Sequence, residues 1–275
     1  MGKLSLTLIV VGTAACGGNN NTTVDAHVVV PDAKPIDAPK VFLDAPPVTY
    51  DFTCFGANAP TTATDPATIS GNGGELGTGG LTNTDGIAIS IYKTGVATAL
   101  KTTVTAGGGL FTSGALVTGG TPIDWYIVGS IAQNRTTYLY PPNLLTKDIT
   151  MVPVPLVSDT LFGFLEQGAQ VNQDDTNNGL LLVVVSDCML KPITGATLKV
   201  QQAGVDKGTQ FDLGALSAMA AGTFAVFNVP DGATQVSASY NGMDFPARTV
   251  MAHKKPGNVN AEGTITSTAI APGPF

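Results

Sequence analysis

The apolar positions of the chain follow the two-residue period of β-strands over most of its length. Ile87, Ile89 and Ile91 alternate with small or polar residues, and residues 125–131 form a short run of aromatic and β-branched character. Residues 180–185 are an unbroken apolar run, which predicts a strand that is covered on both faces. Short strands of this kind, separated by glycine-rich turns, predict an all-β protein.

The stretch at residues 222–240 predicts a β-hairpin. Alternating apolar residues begin at Phe224 and resume at Val236, and the sequence Pro-Asp-Gly lies between them at residues 230–232. Proline sets φ for a turn and glycine accepts positive φ, so this tripeptide is typical of a tight connection between paired strands. A weaker copy at residues 109–130 indicates that the chain contains two related β-domains.

One segment breaks the strand pattern and predicts a short helix between the domains. Ser158 is a favourable N-cap, Asp159 suits the positive start of a helix, and Gly168 can end the helix in the left-handed conformation. The predicted architecture is therefore two tandem β-sandwich domains joined by a short helix. The first covers residues 50–156, and the helical join and the second cover residues 157–270.

The N-terminus predicts a targeting signal rather than a folded element. Residues 1–15 contain one lysine, an apolar run too short to span a bilayer, and small residues before the cysteine, as a signal peptide does. The sequence Thr-Ala-Ala-Cys that ends at Cys16 resembles the bacterial lipobox, which implies acylation of Cys16. By the sorting rule of such lipoproteins, Gly17 implies transport to the outer membrane. An ordinary secretory peptide with a free Cys16 is the alternative.

Residues 16–49 predict a disordered tether. Proline and aspartate recur there without an apolar face, most clearly as Asp-Ala-Pro at residues 37–39 and 44–46. This repetition resembles the tethers of predicted myxobacterial lipoproteins. His27 has no neighbour at metal-ligand spacing, and we interpret it as a solvated residue of the tether.

The charge balance limits the partners of the protein. Charged residues make up 12% of the chain, its net charge is −7, and lysine and arginine do not cluster. Nucleic acids and anionic lipid headgroups would be repelled by such a chain. We expect a membrane partner reached through a lipid anchor and an unknown protein or glycan partner, with no nucleic acid and no cofactor.

Cys54 and Cys188 are the two thiols that remain if Cys16 is acylated. An even number of cysteines in an oxidising compartment favours a bridge, so we expect a Cys54–Cys188 disulfide that clamps the two domains. Two isolated thiols are the alternative, because sequence spacing does not show how closely the Cα atoms approach.

The sequence offers little for catalysis or metal binding. His253 lies in His-Lys-Lys-Pro-Gly, which we interpret as an exposed turn, so no catalytic triad is predicted. Residues 172–179 match a calcium-binding loop in four places, but Val185 occupies the position of its closing glutamate. We therefore expect an Asx-rich turn there, no metal site and no enzyme.

Trp125 and Tyr126 are the candidates for stacking on a ligand. Tyr138 and Tyr140 lie in the same half of the chain, and aromatic rings of this kind can pack on sugar rings. Alternation along a strand places Trp125 and Tyr126 on opposite faces. A lone tryptophan on such a strand is also common in a core, and this alternative stays open.

Residues 179–266 resemble the carboxypeptidase regulatory-like domain. Its motifs appear in order as Gly-Ala-Thr-Leu-Lys-Val at residues 195–200, Gly-Thr-Phe at 222–224 and Val-Pro-Asp-Gly at 229–232. The resemblance implies a seven-strand sandwich of the transthyretin type that serves as an accessory module without catalytic residues.

Together, these features of the sequence predict a non-catalytic envelope lipoprotein that acts as a structural or protein-interaction module. A carbohydrate-binding surface lipoprotein is the alternative, motivated by the aromatic residues of the first half. An envelope hydrolase is the second alternative, and it requires two carboxylates that face each other across a cleft.

Overall fold

Most of the described chain is β-strand, which confirms the predicted all-β class. The structure, a computed structural model, describes residues 48–77, 80–256 and 263–273. The strands of the first half are β1 (Ile69–Gly77), β2 (Gly80–Asn83), β3 (Ala88–Lys93), β4 (Ala99–Val104), β5 (Leu110–Thr112), β6 (Trp125–Ser130), β7 (Asn134–Tyr140) and β8 (Ile149–Ser158). Helix α1 (Asp159–Ala169) follows. The later strands are β9 (Asn178–Val185), β10 (Thr197–Gln202), β11 (Val205–Asp206), β12 (Thr209–Asp212), β13 (Thr223–Pro230), β14 (Gly232–Tyr240), β15 (Met243–Asp244), β16 (Arg248–Ala252) and β17 (Thr264–Ile270).

The signal peptide, Cys16, the tether up to residue 47 and His27 lie outside the described residues. Within the described part of the chain, none of the helices has the length and apolar content needed to cross a membrane. The anchoring of the protein therefore stays a prediction from the sequence.

Eight strands of a twelve-stranded sheet run side by side through both halves of the chain, in the order β12-β13-β9-β17-β7-β6-β3-β4, and we call them the central sheet. Strand β8 pairs with β7 and so attaches the smaller sheet formed by β1, β2, β5 and β8. Strand β17 lies between β9 and β7 and pairs parallel to both. Residues 48–275 accordingly cluster as one unit. The boundary predicted at residues 156 and 157 thus does not interrupt the sheet, because the last strand of the chain returns to join the two halves.

Two smaller sheets and the helix cover the central sheet. A sheet built on β1 and β8 packs over β3 and β6, and the sheet formed by β10, β11, β14, β15 and β16 packs over β9, β13 and β17. Helix α1 covers the opposite face of β9 and β13 through Phe162 and Leu165. Leu181 and Leu182 of β9 consequently lie in two different cores, and the predicted burial of this strand on both faces is confirmed.

The predicted hairpin at residues 222–240 is wrong. Strand β13 pairs with β9 and β12, whereas β14 pairs with β10, β15 and β16, so the Pro-Asp-Gly turn carries the chain from one sheet to the other. Val226 of β13 and Val236 of β14 pack into the same core from opposite sides. Strands that alternate towards a shared core have the same sequence pattern whether they lie side by side or face to face.

Helix α1 begins where the sequence predicts and ends two residues later. The Ser158 hydroxyl accepts a hydrogen bond from the Leu161 N–H at 3.4 Å. The cap at the other end is Gln170, with φ of 54°, rather than Gly168. Gly168 instead packs against Leu216, where an added Cβ would lie 2.8 Å from a methyl carbon. The glycine thus gives Leu216 room to pack against the helix and does not form the turn.

Arg135 of β7 connects the first half of the chain to the segment that follows it. Its side chain is 6% exposed, its Nε donates to Asp159 at 3.1 Å, and its two terminal nitrogens donate to both oxygens of Asp175 at 3.0 and 2.8 Å. The guanidinium carbon lies 3.3 Å from the centre of the Phe162 ring. One cation therefore holds the start of α1 and the loop before β9 against β7.

The predicted disulfide between Cys54 and Cys188 is confirmed, with a Cα–Cα distance of 5.7 Å. It ties the segment that precedes β1 to the loop that follows β9. Beside it, the buried carboxylate of Asp187 accepts hydrogen bonds from the backbone N–H groups of Asp51 and Met189. Closing a loop of 134 residues stabilises the folded state by about 5 kcal/mol in the chain-entropy model.

The Arg135 cluster makes a prediction about stability. Arg135→Lys keeps the charge but loses the forked hydrogen bonds and the flat contact with Phe162, so we expect the free energy of unfolding to fall by about 2–4 kcal/mol. Urea denaturation measures this change. Lys101→Ala, at an exposed site on β4, is the control and should change stability little. A loss below about 1 kcal/mol for Arg135→Lys would contradict the role of this cluster.

Candidate functional site

Three tyrosines form a stacked row on the face of the central sheet that points away from Trp125. Tyr92, Tyr126 and Tyr140 come from the neighbouring strands β3, β6 and β7. The ring centroids of Tyr92 and Tyr126 are 5.0 Å apart with planes 9° from parallel, and those of Tyr126 and Tyr140 are 5.0 Å apart at 19°. This tyrosine row results from cross-strand pairing, since opposite side chains on one sheet face meet.

Tyr126 and Tyr140 of this row form the floor of a groove of about 620 Å³, which we call the tyrosine groove. One wall is the turn between β3 and β4. The other wall is β16 together with Ala247 before it and His253 after it. The groove is lined by Thr94, Gly95, Val96, Ala97, Asp124, Tyr126, Tyr140, Leu144, Ala247, Arg248, Thr249, Val250, Met251 and His253. A volume of this size suits a small molecule or a short stretch of extended peptide.

A threonine stripe on β17 holds the β16 wall in place. The buried hydroxyl of Thr266 donates to the Met251 carbonyl at 2.7 Å, and the hydroxyl of Thr264 donates to the His253 carbonyl. These two bonds satisfy carbonyl groups on the side of β16 that does not pair with β14. The sequence signal for the stripe is the alternation Thr-Ile-Thr-Ser-Thr at residues 264–268, and our sequence analysis missed it.

An ion pair closes one end of the groove. The Arg248 side chain is 5% exposed and donates to Asp124 at 3.1 Å and to the carbonyl groups of Tyr140, at 3.2 Å, and of Pro141. Burial lowers the pKa of Arg248, and Asp124 opposes this shift. The Asp124 side chain is 44% exposed and gives the groove a polar rim.

His253 is packed in the groove, and its predicted place in an exposed turn is wrong. Its ring stacks on Tyr138 with a centroid distance of 3.7 Å and an interplanar angle of 22°. Burial lowers the pKa of His253, while nearby Asp231 opposes the shift. Burial likewise raises the pKa of Tyr138 and of Tyr140, so these groups are neutral at physiological pH. The groove therefore presents uncharged aromatic side chains.

Stacking within the tyrosine row covers both ring faces of Tyr126. The three rings lie parallel and cover one another, whereas a platform for a sugar ring needs an open aromatic face. Apolar side chains and backbone groups of an extended peptide can pack against ring edges and hydroxyl groups. The geometry thus favours a peptide over a sugar ring.

Trp125 does not reach the groove. The structure places it in the core under the sheet built on β1, with no exposed surface, and its Nε1 donates to the Asn143 carbonyl at 2.9 Å. Its predicted stacking on a ligand is corrected accordingly, because alternation turned this side chain inward. Tyr126, the other predicted residue, lies in the floor of the groove.

The segment that resembles a calcium loop is an Asx turn. Asp174 accepts hydrogen bonds from the backbone N–H of Thr176 at 3.0 Å and from the Asn177 side chain at 2.7 Å, and Asp175 binds Arg135. The hydrogen bond from Asn177 lowers the pKa of Asp174. Within residues 48–77, 80–256 and 263–273, no three His, Cys, Asp or Glu side chains are grouped to hold a metal ion.

Comparison with known proteins gives distant likenesses alone. No protein-family model matches the chain, and no curated protein matches it either. The shaft pilin SpaA of Lactobacillus rhamnosus GG is 13% identical over 78% of this chain and 99% of its own, with a TM-score of 0.23. The minor pilin GBS52 of Streptococcus agalactiae is 10% identical over 74% of this chain and 95% of its own, with a TM-score of 0.21.

A streptococcal ancillary pilin is similar at the same level, with 10% identity over 76% of this chain and 62% of its own and a TM-score of 0.25. At these values the likenesses carry no argument about this chain. The predicted resemblance to carboxypeptidase regulatory-like domains stays an expectation, and the fold rests on the strands described above.

The packing of His253 predicts a pH dependence of stability. Unfolded histidine takes up a proton near pH 6.5, whereas His253 in the fold takes it up at lower pH. The unfolded state therefore gains protons first as pH falls, and the free energy of unfolding should be smaller at about pH 5 than at about pH 7.5. Chemical denaturation at both pH values, with His253→Gln as comparison, measures the effect. Equal losses in the two proteins would contradict it.

Proposed function

We propose that this protein is a non-catalytic lipoprotein of the cell envelope that acts as a protein-interaction module, with the tyrosine groove as its binding surface. The groove is the observation that carries the proposal. Its floor and walls are held by hydrogen bonds within the protein, so a ligand need not order them on binding. An extended peptide that places apolar side chains against Tyr126 and Met251 is the ligand that this shape favours.

The roles of the charged side chains support a structural rather than a catalytic protein. Arg135 and Arg248 donate to carboxylates and carbonyl groups of the fold, and Asp187 caps a backbone loop. His253, the histidine of the described chain, packs face to face on Tyr138. Each of these groups has a structural use, and the groove offers aromatic contact where an enzyme would need a nucleophile or an acid–base pair.

Peptide binding to the groove is tested with one labelled protein on a peptide array and a glycan array. We expect binding to peptides rich in apolar and aromatic residues, and Tyr126→Ala should weaken it at least tenfold by removing the centre of the floor. Titration calorimetry on the best peptide measures the change. Tyr240→Ala, a half-buried tyrosine of another aromatic cluster, is the matched control and should bind normally.

The two arrays also separate the alternatives. Glycan binding that is lost in Tyr126→Ala would support the carbohydrate-binding alternative instead. Silence of both arrays, or equal binding by the Tyr126→Ala and Tyr240→Ala proteins, would contradict the groove as a binding surface.

Lipid anchoring is tested separately by Cys16→Ala. We expect this change to release the protein from the outer-membrane fraction, because acyl chains contribute about 0.8 kcal/mol per buried methylene and are the anchor that we propose. Cys54→Ala with Cys188→Ala is the control, since it removes the other two cysteines, which form the disulfide, and leaves the acylation site intact. A Cys16→Ala protein that sediments with membranes as completely as the parent does would show that the anchor is wrong.

A further inference from the structure

Four large apolar side chains are exposed together at the point where the chain enters the described structure. Val48 is 59% exposed, Phe55 47%, Met189 75% and Leu190 51%. We call these four residues the entry face. They come from two segments far apart in sequence, one before β1 and one after β9.

The Cys54–Cys188 disulfide joins these two segments, since Phe55 and Met189 are the residues next to its two cysteines. The ammonium group of Lys191 adds a hydrogen bond to the Thr49 carbonyl at 3.2 Å. The two segments that carry the entry face are therefore joined by a covalent bond and a hydrogen bond.

This exposure is unusual for loops, which most often carry polar residues at the surface. Single exposed apolar residues are common, but a group of them fixed at one place marks a surface that binds something. Beside the group is a cavity of about 330 Å³, lined by Cys54, Pro142, Asn143, Cys188, Met189, Leu190, Ala271 and Gly273. Met189 and Leu190 of the entry face thus border this recess.

The position of the entry face points to a lipid surface as its partner. Val48, which is itself part of the face, is the first described residue after the N-terminal segment. About 30 residues separate Val48 from Cys16, and a polypeptide of that length can reach at most about 100 Å. A bilayer that holds an acylated Cys16 would therefore be present at high effective concentration next to this face.

We propose that the entry face lies on the membrane surface, with Phe55, Met189 and Leu190 in the boundary between headgroups and acyl chains. The biological setting of this contact rests on the proposed lipid anchor. The lipid is zwitterionic, because the net charge of −7 opposes approach to an anionic surface. In that case residues 48–275 would be bound at the membrane surface, and the tether would not be their sole link to it.

The test uses the chain from Gly17 onwards, without signal peptide or acyl group, which retains the whole unit of residues 48–275. It is mixed with phosphatidylcholine vesicles and floated on a density gradient. We expect a fraction of the protein to float, and F55E with L190E to reduce the partition coefficient about tenfold or more, because two apolar side chains leave the interface. F164E with L216E is the matched control. It makes the same changes at residues that are 63% and 50% exposed elsewhere, and it should float as the parent does.

A second measurement locates the contact. The chain has one tryptophan, the buried Trp125, so Phe55→Trp adds a reporter whose emission should shift to the blue with vesicles, while Phe164→Trp should not respond.

Absence of flotation, or equal loss in both double variants, would overturn the proposal. Concentration-dependent dimers that F55E with L190E abolishes would instead assign the face to a second copy. Because the protein used has no acyl group, failure here leaves the Cys16 result unaffected, and the reverse also holds.

Discussion

The pairing of β17 with both β7 and β9 is the constraint on which the rest of this structure depends. It completes the central sheet between the two halves of the chain, since β7 belongs to the first half and β9 to the second. The side chains of Thr264 and Thr266 on the same strand donate hydrogen bonds to His253 and to Met251 of β16. The place of β17 in the central sheet therefore fixes the position of β16, which belongs to the other sheet. Without β17 in this place, the tyrosine groove would lose its second wall.

Three connections of different chemistry brace the two sides of β17. Arg135 holds the start of α1 and the loop before β9 through charge-assisted hydrogen bonds. The disulfide and Asp187 hold the segment that precedes β1. A chain with 12% charged residues has few ion pairs to distribute, and it buries the guanidinium groups of Arg135 and Arg248 where separate segments meet. A buried cation requires partners on all sides, and this requirement gives each junction a defined geometry.

The groove and the entry face are connected by one short segment. Pro141 accepts a hydrogen bond from Arg248 below the groove, and Pro142 and Asn143 line the recess beside the disulfide. The Asn143 carbonyl also accepts from Trp125 in the core. The two surfaces that we propose for binding are thus both supported by residues 141–143.

The sequence by itself determined the local features of this protein. Period-two alternation identified the strand around Ile89, and an unbroken apolar run identified the strand around Leu182. The hydroxyl of Ser158 identified the start of α1, and the number of cysteines predicted their bridge. Each of these signals depends on neighbouring residues or on the number of cysteines, and none depends on the path of the rest of the chain. Tyr126 was found in the same way, as an aromatic residue on a strand.

Only the tertiary structure decided which strands pair and which faces stay open. The turn at residues 230–232 fits a hairpin and a sheet-to-sheet crossing equally well, and the chain uses the crossing because its two strands enclose one core. Trp125 lies inside and His253 lies against Tyr138 because of strands that are distant in sequence. Such choices depend on packing free energy summed over long-range contacts, which no local pattern of residues contains.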